Sequence, residues 1–132
     1  MSCNFIIDAY AWIEYFKASE MGERAREYIE SERSITPTIV VAEISRKLSQ
    51  QIQLGKETPE GRQRLTEFIR ATSRIADLDF DTAIDAGKNI EEMAKGCSLA
   101  DLIILSTARK AAGKVITGDD HFRGLKDVIF LK

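Results

Sequence analysis

Histidine is almost absent from this 132-residue chain; His121 is the only one. A metal-free ribonuclease that pairs two imidazoles as acid and base is therefore excluded. Cysteine is nearly as scarce. Cys3 and Cys97 are too few and too far apart for a disulfide framework. Neither lies in a Cys-x-x-Cys pair or near the histidine, which argues against zinc, and both thiols are expected to be buried or half-buried. No apolar run approaches the roughly 20 residues that span a bilayer. The opening Met-Ser-Cys-Asn-Phe-Ile-Ile-Asp turns acidic too early for the apolar core of a signal peptide. The expected location is the cytoplasm, with no membrane partner.

What remains is ordinary for a globular protein: 44% hydrophobic and 30% charged residues. The length suits one domain over residues 1–132, large enough for a core without disulfides. A net charge of −2 does not suit a protein that holds nucleic acid by counterion release alone. The charge is uneven, however. Arg46, Lys47, Lys56, Arg62, Arg64, Arg70 and Arg74 face only Glu57, Glu60 and Glu67 in the same stretch, a local excess of seven minus three, or +4. That stretch is either a solvated helical face or a basic flank that guides a phosphate backbone.

Short apolar runs alternate with helical patterns. Cys3 to Ile7 reads as a buried strand ended by Asp8. Trp12, Ile13 and Phe16 mark a helix from Ala9 to Lys17, and a second is expected over Met21–Ser31. A brief strand, Ser34–Thr36, precedes a long helix from Pro37 or Thr38 to about Gln53. Thr58 and Pro59 form an N-cap with proline at the first helical position. Ile75–Leu78 is a further strand, followed by a helix capped by Asp81. Ser98–Ala112 is apolar on nearly every side and must be buried, with Gly113 ending it. Lys114–Thr117 and Val128–Leu131 complete the strands. This order is the pattern of an α/β domain, a parallel sheet with helices on both faces.

In such a sheet ligands bind beyond the carboxyl ends of the strands, where strand order reverses. Asp8 follows the first strand and Asp119 the strand Lys114–Thr117. If the two strands are neighbours, both carboxylates emerge on one edge. The break at Gly96-Cys97-Ser98 must return the chain to that edge, which puts Asp101 there as well. Singly, each acid has a plain structural explanation. Asp8 and Asp119 could cap turns, Ser98 and Asp101 fit a capping box, and Glu43 could be solvated. Jointly that explanation weakens. Glu43 lies beside the apolar stripe of its helix, and Asp101 is the only charged residue from Ser98 to Ala108. Buried carboxylates that converge repel one another unless a cation resolves the conflict. With oxygen ligands the expected ion is Mg²⁺ or Mn²⁺, and the fitting chemistry is phosphodiester hydrolysis.

These residues resemble the PIN-domain nucleases, in particular the single-domain VapC-type toxins of toxin–antitoxin modules. The likeness is carried by Phe5-Ile6-Ile7-Asp8, by Thr36-Pro37-Thr38-Ile39-Val40-Val41-Ala42-Glu43-Ile44, by Ser98-Leu99-Ala100-Asp101-Leu102-Ile103-Ile104, and by Thr117-Gly118-Asp119-Asp120-His121-Phe122. The resemblance implies a three-layer α/β/α fold with a short central parallel sheet of four to five strands. It also implies that Asp8, Glu43, Asp101 and Asp119 are the metal-binding and catalytic quartet and that Thr117 supports the last acid. The family activity is metal-dependent endoribonuclease cleavage, commonly as a homodimer, with an antitoxin partner that blocks the site. The chain departs from the family in one respect: Ala9 follows the first acid, where many members carry Ser or Thr. Asp120 is read as a supporting residue that caps the turn to Arg123, His121 as a packing residue, and Arg46 and Lys47 as contacts to the RNA substrate.

Two other readings compete. A receiver-like phosphoacceptor domain would need an aspartate such as Asp77 or Asp79 at the end of the middle strand. An inactive interaction module of the same fold would keep the acids without a metal.

Overall fold

The apolar runs fold as five strands in a computed structural model that describes residues 3–132. They are β1 (Asn4–Ile7), β2 (Ser34–Pro37), β3 (Arg74–Ala76), β4 (Gly113–Thr117) and β5 (Val128–Phe130). Every pairing is parallel and the order is β3-β2-β1-β4-β5. The helices are α1 (Ala9–Phe16), α2 (Glu20–Ile29), α3 (Thr38–Gln53), α4 (Pro59–Thr72), α5 (Phe80–Lys88) and α6 (Leu99–Lys110). The chain steps from β1 to β2 to β3 in one direction, then crosses back to place β4 on the other side of β1. Right-handed crossovers put α1–α4 on one face of the sheet and α5 and α6 on the other. α1 packs on α2, and α5 on α6.

The central strands are apolar because both faces are covered. Ile6 and Ile7 of β1 and Val115 and Ile116 of β4 are fully buried, against Ile104 and Leu105 of α6 and Trp12 of α1. Burying each of these large side chains contributes roughly 1.5–3 kcal/mol. Trp12 also needs a partner for its indole N–H, and donates it to the Thr36 hydroxyl at 3.0 Å. Among the described residues no helix is long and apolar enough to cross a membrane. Both cysteines are free and half-buried, as expected.

Thr58 caps α4 by accepting from the Gly61 amide, with Pro59 at the first position. β3 covers Arg74–Ala76 where Ile75–Leu78 was expected, other element ends shift by a residue or two, and two helix-end assignments differ in kind. α5 is capped by Asp79, not Asp81: the Asp79 carboxylate accepts from the Thr82 amide at 2.8 Å, which leaves Asp81 inside the first turn. α6 is ended by Ala112 in the left-handed region (φ 51°), not by Gly113. Gly113 is instead the first residue of β4. A Cβ there would sit 2.6 Å from the Asn4 carbonyl oxygen, so glycine is required for the close approach of β1.

Candidate active site at the carboxyl edge of the sheet

The order reverses between β1 and β4, so the crevice of the fold lies where these two strands end. The register sets Ile7 beside Ile116, and the Asp8 amide donates to the Ile116 carbonyl at 3.2 Å. Asp8 and Thr117 therefore leave the sheet side by side. The Thr117 hydroxyl donates to Asp8 Oδ2 at 2.7 Å and accepts from the Asp119 amide at 3.0 Å. Thr117 thus reaches the first acid with its own proton and touches the last one only through the backbone, whereas the expectation was support of Asp119. Ala9 takes the place of a hydroxyl neighbour, its amide donating to Asp8 Oδ1 at 2.8 Å.

α6 runs antiparallel to β4, so its first turn returns to the same edge. Asp101 is in that turn and buried, and the capping box with Ser98 is present: Ser98 N–H donates to Asp101 Oδ2 at 3.0 Å, and Asp101 N–H to Ser98 Oγ at 3.1 Å. α3 begins directly after β2 and brings Glu43, half-buried, over the edge from the other side. Asp119 caps a short 3-10 turn, Asp120–Phe122, by accepting from the His121 amide at 2.9 Å. The expectation for Asp120 is corrected here. Asp119 holds the cap position, and Asp120 is exposed and paired with Arg123 and Lys132.

The structural role thus holds for three of the four acids, each of which accepts a backbone amide at an element start. It does not exhaust them. Among the described residues no lysine or arginine pairs with Asp8, Glu43, Asp101 or Asp119. Their charges meet instead. Burial pushes the Asp8 carboxyl up to about 7; the Thr117 and Ala9 hydrogen bonds oppose the rise, and the charges of Glu43 and Asp101 add to it. Glu43 is raised by burial and then by the charge of Asp101, with Asp119 adding and Arg46 opposing. One Glu43 oxygen, Oε1, is buried with no hydrogen-bond partner. Amide-rich starts of α1, α3 and α6 face the cluster, but partial positive charges at helix ends offset only part of it.

His121 was not among the expected site residues. Its ring stands over the cluster, with Nδ1 3.2 Å from Asp101 Oδ2 and 3.3 Å from Asp119 Oδ1. Its side chain is only half-buried, and it is Phe122, one residue on, that is fully buried in the core. The available signal was its place two residues after a strand-end acid. Asp101, Asp119 and His121 each offer a ligand atom, all within 4.8 Å of one another. A buried carboxylate oxygen without a donor, beside uncompensated acids, fits a divalent cation held by hard oxygen donors.

Arg46 acts on Glu43 from the next turn of α3. Lys47 faces a cleft of about 610 Å³ between α1, α3 and α4, whose lining includes Lys17, Lys56, Arg64, Phe16 and Leu65. Asp77 and Asp79 follow the edge strand β3, not the middle strand, and Asp79 is engaged as a cap and with Lys110. The receiver-like reading loses its phosphoacceptor.

Comparison with known proteins agrees with this layout. The PIN domain family model matches residues 5–128. No curated protein matches the chain. Among solved structures, a toxin–antitoxin complex from Klebsiella pneumoniae superposes with a TM-score of 0.74 at 21% identity, covering 99% of this chain and 98% of that one. A DNA-bound VapBC from Salmonella typhimurium gives 0.69 at 15%, covering 99% and 100%. VapC20 from Mycobacterium tuberculosis, a Sarcin-Ricin loop cleaving toxin, gives 0.65 at 16%, covering 90% and 92%.

Proposed function

The chain belongs to the PIN domain family, and from that premise we propose that it is a metal-dependent endoribonuclease, the toxin of a toxin–antitoxin pair. Asp8, Glu43, Asp101 and Asp119 would hold Mg²⁺ or Mn²⁺. The observation that carries this reading is four electrostatically coupled carboxylates from four separate segments with no lysine or arginine salt bridge among the described residues and one buried oxygen unbonded. Such an arrangement is costly for a fold alone and is relieved by a cation.

When bound, the cation supplies the Lewis acidity that makes water nucleophilic near neutral pH and offsets charge on the phosphodiester. The residues of the chain do the rest. Thr117 and Ala9 fix both oxygens of Asp8, so its orientation is set before substrate arrives. The capping box does the same for Asp101. Arg46 provides positive charge beside Glu43, and Lys47 adds to the basic cleft between α1, α3 and α4, along which the RNA backbone would pass.

An antitoxin partner and a homodimer are part of the same proposal. The antitoxin is supported by the similar solved structures, which are toxin–antitoxin complexes; the homodimer follows from the family resemblance alone. The decisive experiment is cleavage of single-stranded RNA by purified protein with Mg²⁺ or Mn²⁺. Cleavage should stop in EDTA and in Asp8→Asn, and RNA cutting that persists in EDTA would overturn the reading.

A further inference from the structure

We propose that His121 Nδ1 is itself a ligand of the cation, so that the site has a mixed nitrogen–oxygen donor set and favours Mn²⁺ over Mg²⁺. This rests on the reading that the acid cluster holds a cation, and goes beyond it by naming a ligand and a metal preference.

The side chain of His121 is 41% exposed, yet Nδ1 is buried and has no hydrogen-bond partner. The atom withdrawn from water is thus the one turned toward Asp101 and Asp119. A proton on Nδ1 would make no aligned hydrogen bond to either carboxylate, and the bare lone pair is repelled by both oxygens unless positive charge lies between them. Its separations of 3.2 and 3.3 Å match that requirement. Neighbouring donors on a six-coordinate ion with bonds of about 2.1 Å stand about 3.0 Å apart. The ring is held there from two sides. Its backbone amide is fixed on Asp119 Oδ1, and the next side chain, Phe122, is anchored in the core.

Donor chemistry then sets the preference. Mg²⁺ takes oxygen ligands and gives up its waters reluctantly. A nitrogen donor raises affinity for first-row transition ions over Mg²⁺, even for Mn²⁺ at the weak end of their series.

The test uses Mn²⁺ as a spectroscopic probe in the full chain without a histidine tag. Because His121 is the only histidine, ¹⁵N-histidine labelling addresses a single ring. Electron spin-echo modulation of bound Mn²⁺ should show a nitrogen coupling that changes from ¹⁴N to ¹⁵N on labelling. In calorimetry, His121→Phe should weaken Mn²⁺ binding by at least the roughly tenfold that even an outer partner of a metal ligand costs, with Mg²⁺ affinity changed less. The labelling arm needs no substitution, so it stands even if that variant folds poorly. Mn²⁺ that binds without nitrogen coupling, or His121→Phe weakening both ions equally, overturns the proposal while leaving the cation reading intact. Absence of Mn²⁺ and Mg²⁺ binding in the unaltered protein overturns both.

Discussion

Thr117 and Asp8, 109 residues apart, are joined by a 2.7 Å hydrogen bond across the junction of β1 and β4. The bond is completely enclosed, since Thr117 is 0% and Asp8 4% exposed. It favours the ionised carboxylate against the burial that disfavours it. Thr117→Val keeps the volume and removes the donor. The expected loss is about 1–3 kcal/mol of stability, from a buried acceptor left unsatisfied. Thr117→Ser should retain most of it. Denaturant titration of the three proteins measures the difference. Equal stability of the Val variant would mean that the bond contributes nothing to the fold.

The double duty of Asp101 can be separated by substitution. Asparagine keeps an oxygen to accept from Ser98 N–H but loses the charge. Asp101→Asn should melt within a few degrees of the unaltered chain while RNA cleavage falls at least about 100-fold. Ser98→Ala removes the cap instead. It should cost about 1 kcal/mol, with cleavage largely kept. If Ser98→Ala abolished cleavage and Asp101→Asn did not, the carboxylate would be a structural cap and nothing more.

Much of this site was legible along the chain. Strand-end acids at Asp8 and Asp119 follow from apolar runs that stop at a charge, and the switch point follows from the order of elements. Asp101 was legible because a charge in an otherwise apolar helix needs a reason. The place of the His121 ring and the second partner of Thr117, Asp8, were not legible for a related cause. The aim of an imidazole depends on the rotamer in a tight turn, and the acid that takes the Thr117 proton lies 109 residues away along the chain. The boundaries at Asp79 and Ala112 were missed because several residues near each helix end could have capped or ended it. The choice was settled by the Thr82 amide and by the close approach of Asn4 to Gly113.

Asp8 also predicts how metal-free protein responds to pH. Its carboxyl lies near 7 in the fold against 3.8 for a free one. Protonated Asp8 is therefore favoured by folding. The stabilisation is fully present below pH 4, declines as pH rises, and is gone above about pH 7. Three units correspond to about 4 kcal/mol at most. Glu43, raised as well, acts in the same direction. Asp79 and Asp120 are held low by exposed basic partners and change only under more acid conditions. In EDTA the melting temperature should fall between pH 5 and pH 8, and much of that fall should be absent in Asp8→Asn. Adding Mn²⁺ at pH 8 should restore stability to the unaltered chain, through the ion's preference for the folded state. A pH profile identical in both proteins would show that Asp8 is not the group responsible.

The two basic residues proposed to meet RNA make distinct predictions. Both are exposed, so neutralising them should leave the fold unchanged. Lys47 faces the cleft with Lys17, Lys56 and Arg64, where it adds one charge to an already basic surface. Lys47→Gln should weaken binding of uncleaved RNA uniformly across sequences and reduce the salt slope by about 1, as loss of a phosphate contact does. Arg46 adds a second effect through Glu43, whose ionised form it favours. Arg46→Gln should reduce the salt slope in the same way and, in addition, weaken Mn²⁺ binding, because Glu43 loses a charge that favours its ionised form. Filter binding in EDTA over a series of salt concentrations measures the first effect, and calorimetry without RNA the second. If neither variant changed the salt slope, the backbone of the RNA would have to pass elsewhere, and the basic stretch from Arg46 to Arg74 would be a solvated helical face.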